Sequence, residues 1–107
     1  MRIFAFEYVT AGGWRDIGAS ASLIAEGAMM LGALVRDLSG LPGISVVVAH
    51  DPETDPPPSG ATAAALVSQD CWGEWRAIAE RCDAVWPIAP ETGGVLEAVT
   101  QIPSRER

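Results

Sequence analysis

The fold is decided by residues 83–97, Asp-Ala-Val-Trp-Pro-Ile-Ala-Pro-Glu-Thr-Gly-Gly-Val-Leu-Glu. Its apolar run at residues 84–86 predicts a strand, a proline-rich turn follows, and a helical pattern begins near Gly94. Thr92 suits the N-cap position, because its hydroxyl can accept from a backbone N–H of the first helical turn. Gly93 and Gly94 leave room for a ligand to approach the backbone closely. The alternative interpretation is an ordinary capped strand-to-helix turn without a ligand.

Similar apolar runs and helical patterns extend to both sides of this stretch. They predict strands at residues 2–9, 44–49 and 62–68, and helices at residues 22–38, 71–82 and 94–102. Between the first strand and the first helix, a polar loop with Trp14, Arg15 and Asp16 is expected up to about Ser20. Buried-type strands that alternate with helices indicate a three-layer, Rossmann-like α/β domain with a mainly parallel four-stranded sheet, in the order β-α-β-β-α-β-α. We expect one domain at residues 1–102 and a frayed, charged tail at 103–107.

The first helix has the clearest pattern. Ser20 or Ser22 is expected to cap it, and Asp70 is expected to cap the helix that follows residue 70. Gly27 falls in the middle of the first helix, where glycine costs about 1 kcal/mol relative to alanine. Close packing against the sheet is the expected reason for this glycine.

Composition excludes several function classes. The chain has 107 residues and a net charge of −7, which argues against a nucleic-acid partner, and it has no basic amphipathic stretch for a membrane surface. It contains no lysine and no asparagine. A P-loop nucleotidase is excluded, because its lysine clamps the phosphates. A phospho-receiver domain is disfavoured because that family also relies on a lysine.

The two cysteines are expected to be reduced. If Cys71 and Cys82 lie on one helix, they are about 16 Å apart, too far for a disulfide, which needs Cα atoms within about 7 Å. Reduced thiols favour the cytoplasm, and the short apolar run after Met1 does not fit a signal peptide.

One sheet edge is the expected substrate site. In a parallel sheet the ends of the first and fourth strands share an edge, which two helix N-termini face. An anion is expected at the backbone there, and an amine at Glu7 or Glu91. The glycines lack the spacing of a dinucleotide fingerprint. The candidate substrate-binding residues are Glu7, Thr10, Gly12, Gly13, Glu91, Thr92, Gly93 and Gly94.

Other chemically capable residues carry weaker signals. His50 is the only histidine, and because ligand partners at suitable spacing are lacking, we expect no metal site and a loop histidine. Trp14 and Trp86 flank the two turns and are the tryptophans that can contact a ligand. The three prolines at residues 56–58 predict an extended surface loop, whose role the sequence leaves open.

Three segments together resemble a set of ATP-grasp proteins. They are the opening Arg-Ile-Phe-Ala-Phe-Glu-Tyr-Val-Thr-Ala-Gly-Gly, the helix Ala-Glu-Gly-Ala-Met-Met-Leu-Gly-Ala-Leu-Val-Arg-Asp-Leu, and residues 83–97. The set is similar to the tyramine–glutamate ligases of methanofuran biosynthesis, in one-carbon metabolism, and to their relatives in methylotrophic bacteria. The resemblance covers residues 1 to about 99 and implies an N-terminal pre-ATP-grasp domain.

The resemblance also implies which domains of the full-length protein bind the cofactors and which bind the substrate. ATP and Mg²⁺ would be held by later ATP-grasp lobes, where an amine attacks an acyl phosphate, and those lobes use lysines and Glu/Asn ligands. This chain has neither lysine nor asparagine, so it is expected to contain no catalytic residue, to bind no cofactor and to be inactive alone. Its expected partners are an amine or carboxylate substrate, those lobes and a second copy in a homodimer. The alternatives are a non-catalytic binding or scaffolding module and a small domain that binds a nucleotide or flavin.

Overall fold

The structure, a computed structural model, describes residues 1–54, 56–90 and 94–105. Its four strands form one sheet in the order β3-β2-β1-β4, and every neighbouring pair is parallel. The strands are β1 (Arg2–Glu7), β2 (Ser45–His50), β3 (Thr62–Ala65) and β4 (Ala84–Ile88). The helices are α1 (Trp14–Ile17), α2 (Ala21–Ser39), α3 (Cys71–Ala79) and α4 (Val95–Thr100), and a π-helical turn spans Val9–Gly13.

The sheet lies between two helical layers, which confirms the predicted three-layer α/β fold. On one face, α2 packs against the side chains of β1 and β2 that include Ile3 and Val48. On the other face, α3 and α4 cover Phe4 and Phe6. Alternate residues of a strand point to opposite faces, so β1 contributes to both cores. Its two stacked phenylalanine rings have centroids 4.6 Å apart and join the core of the α3 side.

Helix α2 agrees closely with its sequence pattern. It spans Ala21–Ser39, against a prediction of 22–38, and the Oγ of Ser20 accepts from Leu23 N at 3.2 Å. Ser20 rather than Ser22 is therefore the N-cap. Its buried residues lie at helical spacing along one face, at Gly27, Leu31, Val35 and Leu38. The predicted cap of α3 is also confirmed, because Asp70 accepts from Gly73 N.

The segment after β1 was predicted incorrectly. A strand at residues 2–9 and a polar loop up to Ser20 were expected, but β1 ends at Glu7 and the chain turns at once into the Val9–Gly13 turn and α1. The cause is the side chain of Glu7, whose two oxygens accept from Val9 N and Thr10 N, each at 2.8 Å. These hydrogen bonds fold the backbone back on the strand end.

Strand β4 continues through a proline that was assigned to the following turn. The sequence predicted a strand at 84–86, whereas β4 reaches Ile88 and Pro87 pairs in register with Phe6. Proline cannot donate to a neighbouring strand and is tolerated at the edge of a sheet. Because β4 pairs with β1 alone, Pro87 occupies such an edge.

Other elements also have shifted bounds, and β2 spans Ser45–His50 rather than 44–49. Strand β3 ends at Ala65 rather than 68, and α3 ends at Ala79 rather than 82. Helix α4 is shorter than residues 94–102, and its N-cap is Gly94 rather than Thr92, which lies outside the described residues. After α4, the backbone N–H of Arg105 donates to Cys82 O, and its guanidinium pairs with Asp83. The domain boundary at residue 102 stays a prediction.

Candidate functional site

The strand order has a switch point between β1 and β4, and the region outside their last residues, Glu7 and Ile88, is called the crevice here. From β1 the chain continues to β2 and β3 on one side of β1, and it then returns to place β4 on the other side. The direction in which strands are added therefore reverses between β1 and β4. In open α/β sheets, ligands bind outside the carboxyl ends of the strands at such a switch point. The register Glu7↔Ile88 brings the two strand ends level, and Tyr8 N donates to Ile88 O at 2.8 Å. The prediction that the first and fourth strands end at a common edge is confirmed.

Glu7 lies at this edge but faces the protein interior. Its side chain is 3% exposed, and its carboxylate is held by the backbone N–H groups of Val9 and Thr10. It packs directly against the backbone of α2 at Gly27. Burial raises the pKa of Glu7, although the hydrogen bonds from Thr10 and Val9 oppose this shift. The structure therefore gives Glu7 a clear role in shaping the turn, while its predicted contact with an amine stays a prediction.

The Val9–Gly13 turn is buried along its whole length. Thr10 is 6% exposed, and its hydroxyl lies 3.4 Å from Glu7 O. Gly12 has φ 114°, and a Cβ at this position would lie 2.8 Å from Leu66 Cδ1. A Cβ at Gly13 would lie 2.4 Å from the ring of Tyr8. Both glycines therefore allow close packing within the protein, and their predicted contact with a ligand stays a prediction.

The β4 side of the crevice is the exposed side. Gly94 is exposed and adopts the left-handed conformation, with φ 74° at the start of α4. The other three predicted residues of this segment, Glu91, Thr92 and Gly93, lie outside the described residues. Trp86, on β4, is 50% exposed. The structure therefore brings Glu7, Thr10, Gly12 and Gly13 together on one turn and places Gly94 after the neighbouring strand.

A polar cluster beside the crevice was not predicted from the sequence. Asp51, directly after β2, is 2% exposed and accepts from the indole Nε1 of Trp14 at 2.8 Å and from Glu53 N at 3.0 Å. The guanidinium of Arg15 pairs with both Asp51 and Glu53, and it stacks over the Trp14 ring with its Cζ 4.7 Å from the centroid. Burial would raise the pKa of Asp51, but the hydrogen bonds from Glu53, Trp14 and Arg15 together lower it.

The Asp51 cluster connects the turns that follow β1 and β2. Asp51 N donates to Thr10 O at 3.0 Å, so the two turns are joined through their backbones. A cleft of about 260 Å³ lies next to it, between Arg15 and the segment after β3 that includes Leu66 and Ser68. The signal in the sequence is the His-Asp-Pro triplet at the predicted strand end, residues 50–52, which does not show that Asp51 turns inwards. His50 itself is half-buried and is the last residue of β2, not a loop residue as predicted.

Similarity to known proteins identifies the family of this chain. Residues 44–106 match the pre ATP-grasp 3 domain family, and this match covers more than half of the chain. The chain belongs to the pre ATP-grasp 3 domain family. No curated protein matches this pre-ATP-grasp domain, and no solved structure does either.

Family membership supports the resemblance to ATP-grasp proteins, but not the resemblance to one particular ligase. It identifies an N-terminal domain of the ATP-grasp type, and it carries no information on tyramine, glutamate or a pathway. The matched residues include β2, β3, α3 and the segment 83–97, so they contain the β4 side of the crevice and Asp51. Within the part of this pre-ATP-grasp domain that the structure describes, no helix is both long and apolar enough to cross a membrane.

Proposed function

We propose that this chain is the substrate-side N-terminal lobe of an ATP-grasp carboxylate–amine ligase. The observation that carries the proposal is the switch point between β1 and β4, in a chain that belongs to the pre ATP-grasp 3 domain family. At a switch point, the turns after two neighbouring strands diverge and leave a crevice that a small molecule can enter. The acceptor substrate is proposed to bind there, facing the ATP-grasp lobes.

The β4 side of the crevice is the better candidate for substrate contact. On the β1 side, both oxygens of Glu7 already accept backbone hydrogen bonds, and Gly12 and Gly13 are buried against the protein. We therefore assign the amine to Glu91 and an anionic substrate group to the backbone of residues 92–94. The aromatic face of the exposed Trp86 would pack against an apolar part of the same substrate.

The substrates and the chemistry are proposed from the family resemblance. Glutamate ligation to tyramine or a similar amine, in methanofuran-type cofactor biosynthesis, is the proposed reaction of the parent protein. We propose that ATP and Mg²⁺ are not held by this chain. It has no lysine, and among residues 1–54, 56–90 and 94–105 no group of three or more His, Cys, Asp or Glu side chains is placed to hold a metal. The proposal therefore assigns nucleotide and metal to the ATP-grasp lobes, and predicts that this chain alone is inactive as a ligase.

A titration followed by NMR tests the proposed substrate site. The ¹⁵N-labelled chain is titrated with tyramine and, separately, with glutamate, and the amide shifts of Trp86, Ala89 and Gly94 are monitored. Both compounds are expected to shift these amides, and Glu91→Gln is expected to weaken tyramine binding. Glu97→Gln is the matched control, because it makes the same charge change at an exposed position of α4.

Two outcomes would overturn the proposal. One is that neither compound shifts the three amides. The other is that Glu91→Gln and Glu97→Gln weaken tyramine binding equally, since the effect would then report net charge rather than a site. Either result would favour the alternative function, a non-catalytic binding or scaffolding module with the same fold.

A further inference from the structure

A second cavity lies at the opposite edge of the sheet from the proposed substrate site. It has a volume of about 310 Å³ and opens where β1, β2 and β3 begin and where α3 has ended. We call it the amino-edge groove. Its lining includes Arg2, Arg81, Ser45, Thr62, Val47 and Ile78. Its volume is within the range of small-molecule sites, roughly 300–1,000 Å³.

The groove exists because the helical layer is incomplete on this side. Helix α3 follows β3 in the chain and stops at Ala79, and the first residues of β2 and β3 are left uncovered. Ser45 and Thr62 are exposed, while Val47 and Ala64 are only half-buried. The floor of the groove is therefore apolar, and its rim carries hydroxyl groups.

The rim is also positively charged, in a chain whose net charge is −7. Arg2 and Arg81 both line the groove and are exposed. Within the described part of the chain, neither guanidinium takes part in an ion pair. The nearby carboxylate of Asp83 does not line the groove, and it is engaged by Arg105 and by the backbone N–H of Arg2.

We infer that the amino-edge groove is a binding site for a small organic anion, a carboxylate or phosphate group carried on a short apolar body. The two guanidinium groups would hold the anion, because planar N–H donors suit carboxylate and phosphate oxygens. The apolar body would lie on Val47, Ala64 and Ile78, whose exposed surface is then removed from water. This site is separate from the crevice between β1 and β4, and it does not depend on the function proposed above.

Hexanoate is a suitable probe, and hexanamide is its uncharged control of similar shape. Titration of the ¹⁵N-labelled chain with hexanoate is expected to shift the amides of Ser45, Thr62 and Cys82, while hexanamide leaves them unchanged. Arg2→Gln and Arg81→Gln are each expected to weaken hexanoate binding about tenfold, the effect of losing one charge-assisted hydrogen bond.

The matched control is Arg36→Gln, which removes the same charge from the exposed side of α2, in the opposite helical layer. It is expected to leave hexanoate binding unchanged. The inference is overturned if hexanoate shifts none of the three amides, if hexanamide shifts them equally, or if Arg36→Gln weakens binding as much as the other two variants. Since Arg2 and Arg81 are exposed, their variants should fold, and dispersed amide spectra check this directly.

Discussion

Gly27→Ala is predicted to destabilise the chain, although alanine is the better helix former. Gly27 lies in the middle of α2 and is buried against the end of β1. A methyl group there would lie 2.3 Å from Oε1 and 2.5 Å from Cδ of Glu7. Ordinary contacts of a Cβ begin near 3.4 Å, so the carboxylate would have to move by about an ångström.

The expected loss follows from what the carboxylate holds in place. Overpacking a filled interior costs about 1–3 kcal/mol. Movement of Glu7 would also weaken its hydrogen bonds to Val9 N and Thr10 N, and a buried donor left without a partner costs about 1–3 kcal/mol. Alanine returns about 1 kcal/mol through its helix propensity. The net prediction is a loss of roughly 1–5 kcal/mol in the free energy of unfolding.

Urea unfolding followed by tryptophan fluorescence measures this difference. Gly32→Ala is the matched control, because Gly32 lies in the same helix and a Cβ there has no atom within 4 Å. Gly32→Ala is expected to stabilise the chain by about 1 kcal/mol. Because both variants replace glycine by alanine but are expected to change the stability in opposite directions, the comparison separates the packing cost at residue 27 from the helix propensity of alanine.

A double-mutant cycle identifies the contact responsible. In a Glu7→Ala background the clash is gone, so Gly27→Ala should become neutral or stabilising, and the two sites should show a coupling energy of at least about 1 kcal/mol. The reasoning is refuted if Gly27→Ala stabilises the wild-type chain as Gly32→Ala does, or if its cost is the same in both backgrounds.

Three further predictions concern the other buried hydrogen bonds and a helix cap. Asp51→Asn should lower the free energy of unfolding by about 1–3 kcal/mol at pH 7. The folded-state pKa of Asp51 is lowered, so the stability that its carboxylate contributes is present above its ordinary pKa of 3.8 and is lost as the pH falls through the folded-state value. Urea unfolding between pH 7 and pH 2.5 should therefore show the stabilities of the wild type and the variant converging in acid. A constant difference between them across this range would contradict the prediction. Trp75→Phe should cost about 1–3 kcal/mol or more, because Ala11 O then loses the indole donor at 3.0 Å inside the protein, and a thermal denaturation without loss of stability would show that this bond does not hold the turn. Asp70→Ala should cost about 1 kcal/mol through loss of the N-cap bond to Gly73 N, whereas Asp70→Asn should cost much less, and equal losses in urea unfolding would argue against capping.

The architecture was predictable because its signals are local and repeated. Apolar runs of strand length alternate with helical patterns, and Ser20 and Asp70 mark helix starts with side chains that the structure shows in use. The bounds that failed depend on tertiary position. Pro87 was assigned to a turn because the sequence does not show that β4 is an edge strand, where the missing N–H is harmless.

The site was only partly predictable, for a different reason. The sequence correctly predicted that β1 and β4 end at one edge of the sheet, but the direction of a side chain depends on packing that no motif encodes. Glu7 turns inwards because Gly27 leaves room for it, a contact between residues 20 positions apart in the sequence. Asp51 was overlooked because its partners, Trp14 and Arg15, belong to α1, a helix that replaced the expected loop.

The two buried cysteines are positioned as independent reporters of the two sheet edges. Cys71 is the first residue of α3 and packs next to Gly12, and Cys82 lines the amino-edge groove. Both thiols are free, and burial raises the pKa of each, so modification by a thiol reagent requires local opening. The labelling rate of Cys71 would then measure the opening of the Val9–Gly13 turn, while that of Cys82 would fall when hexanoate occupies the groove. Single Cys→Ser variants would separate the two rates, so that local opening at each sheet edge could be timed at a native cysteine.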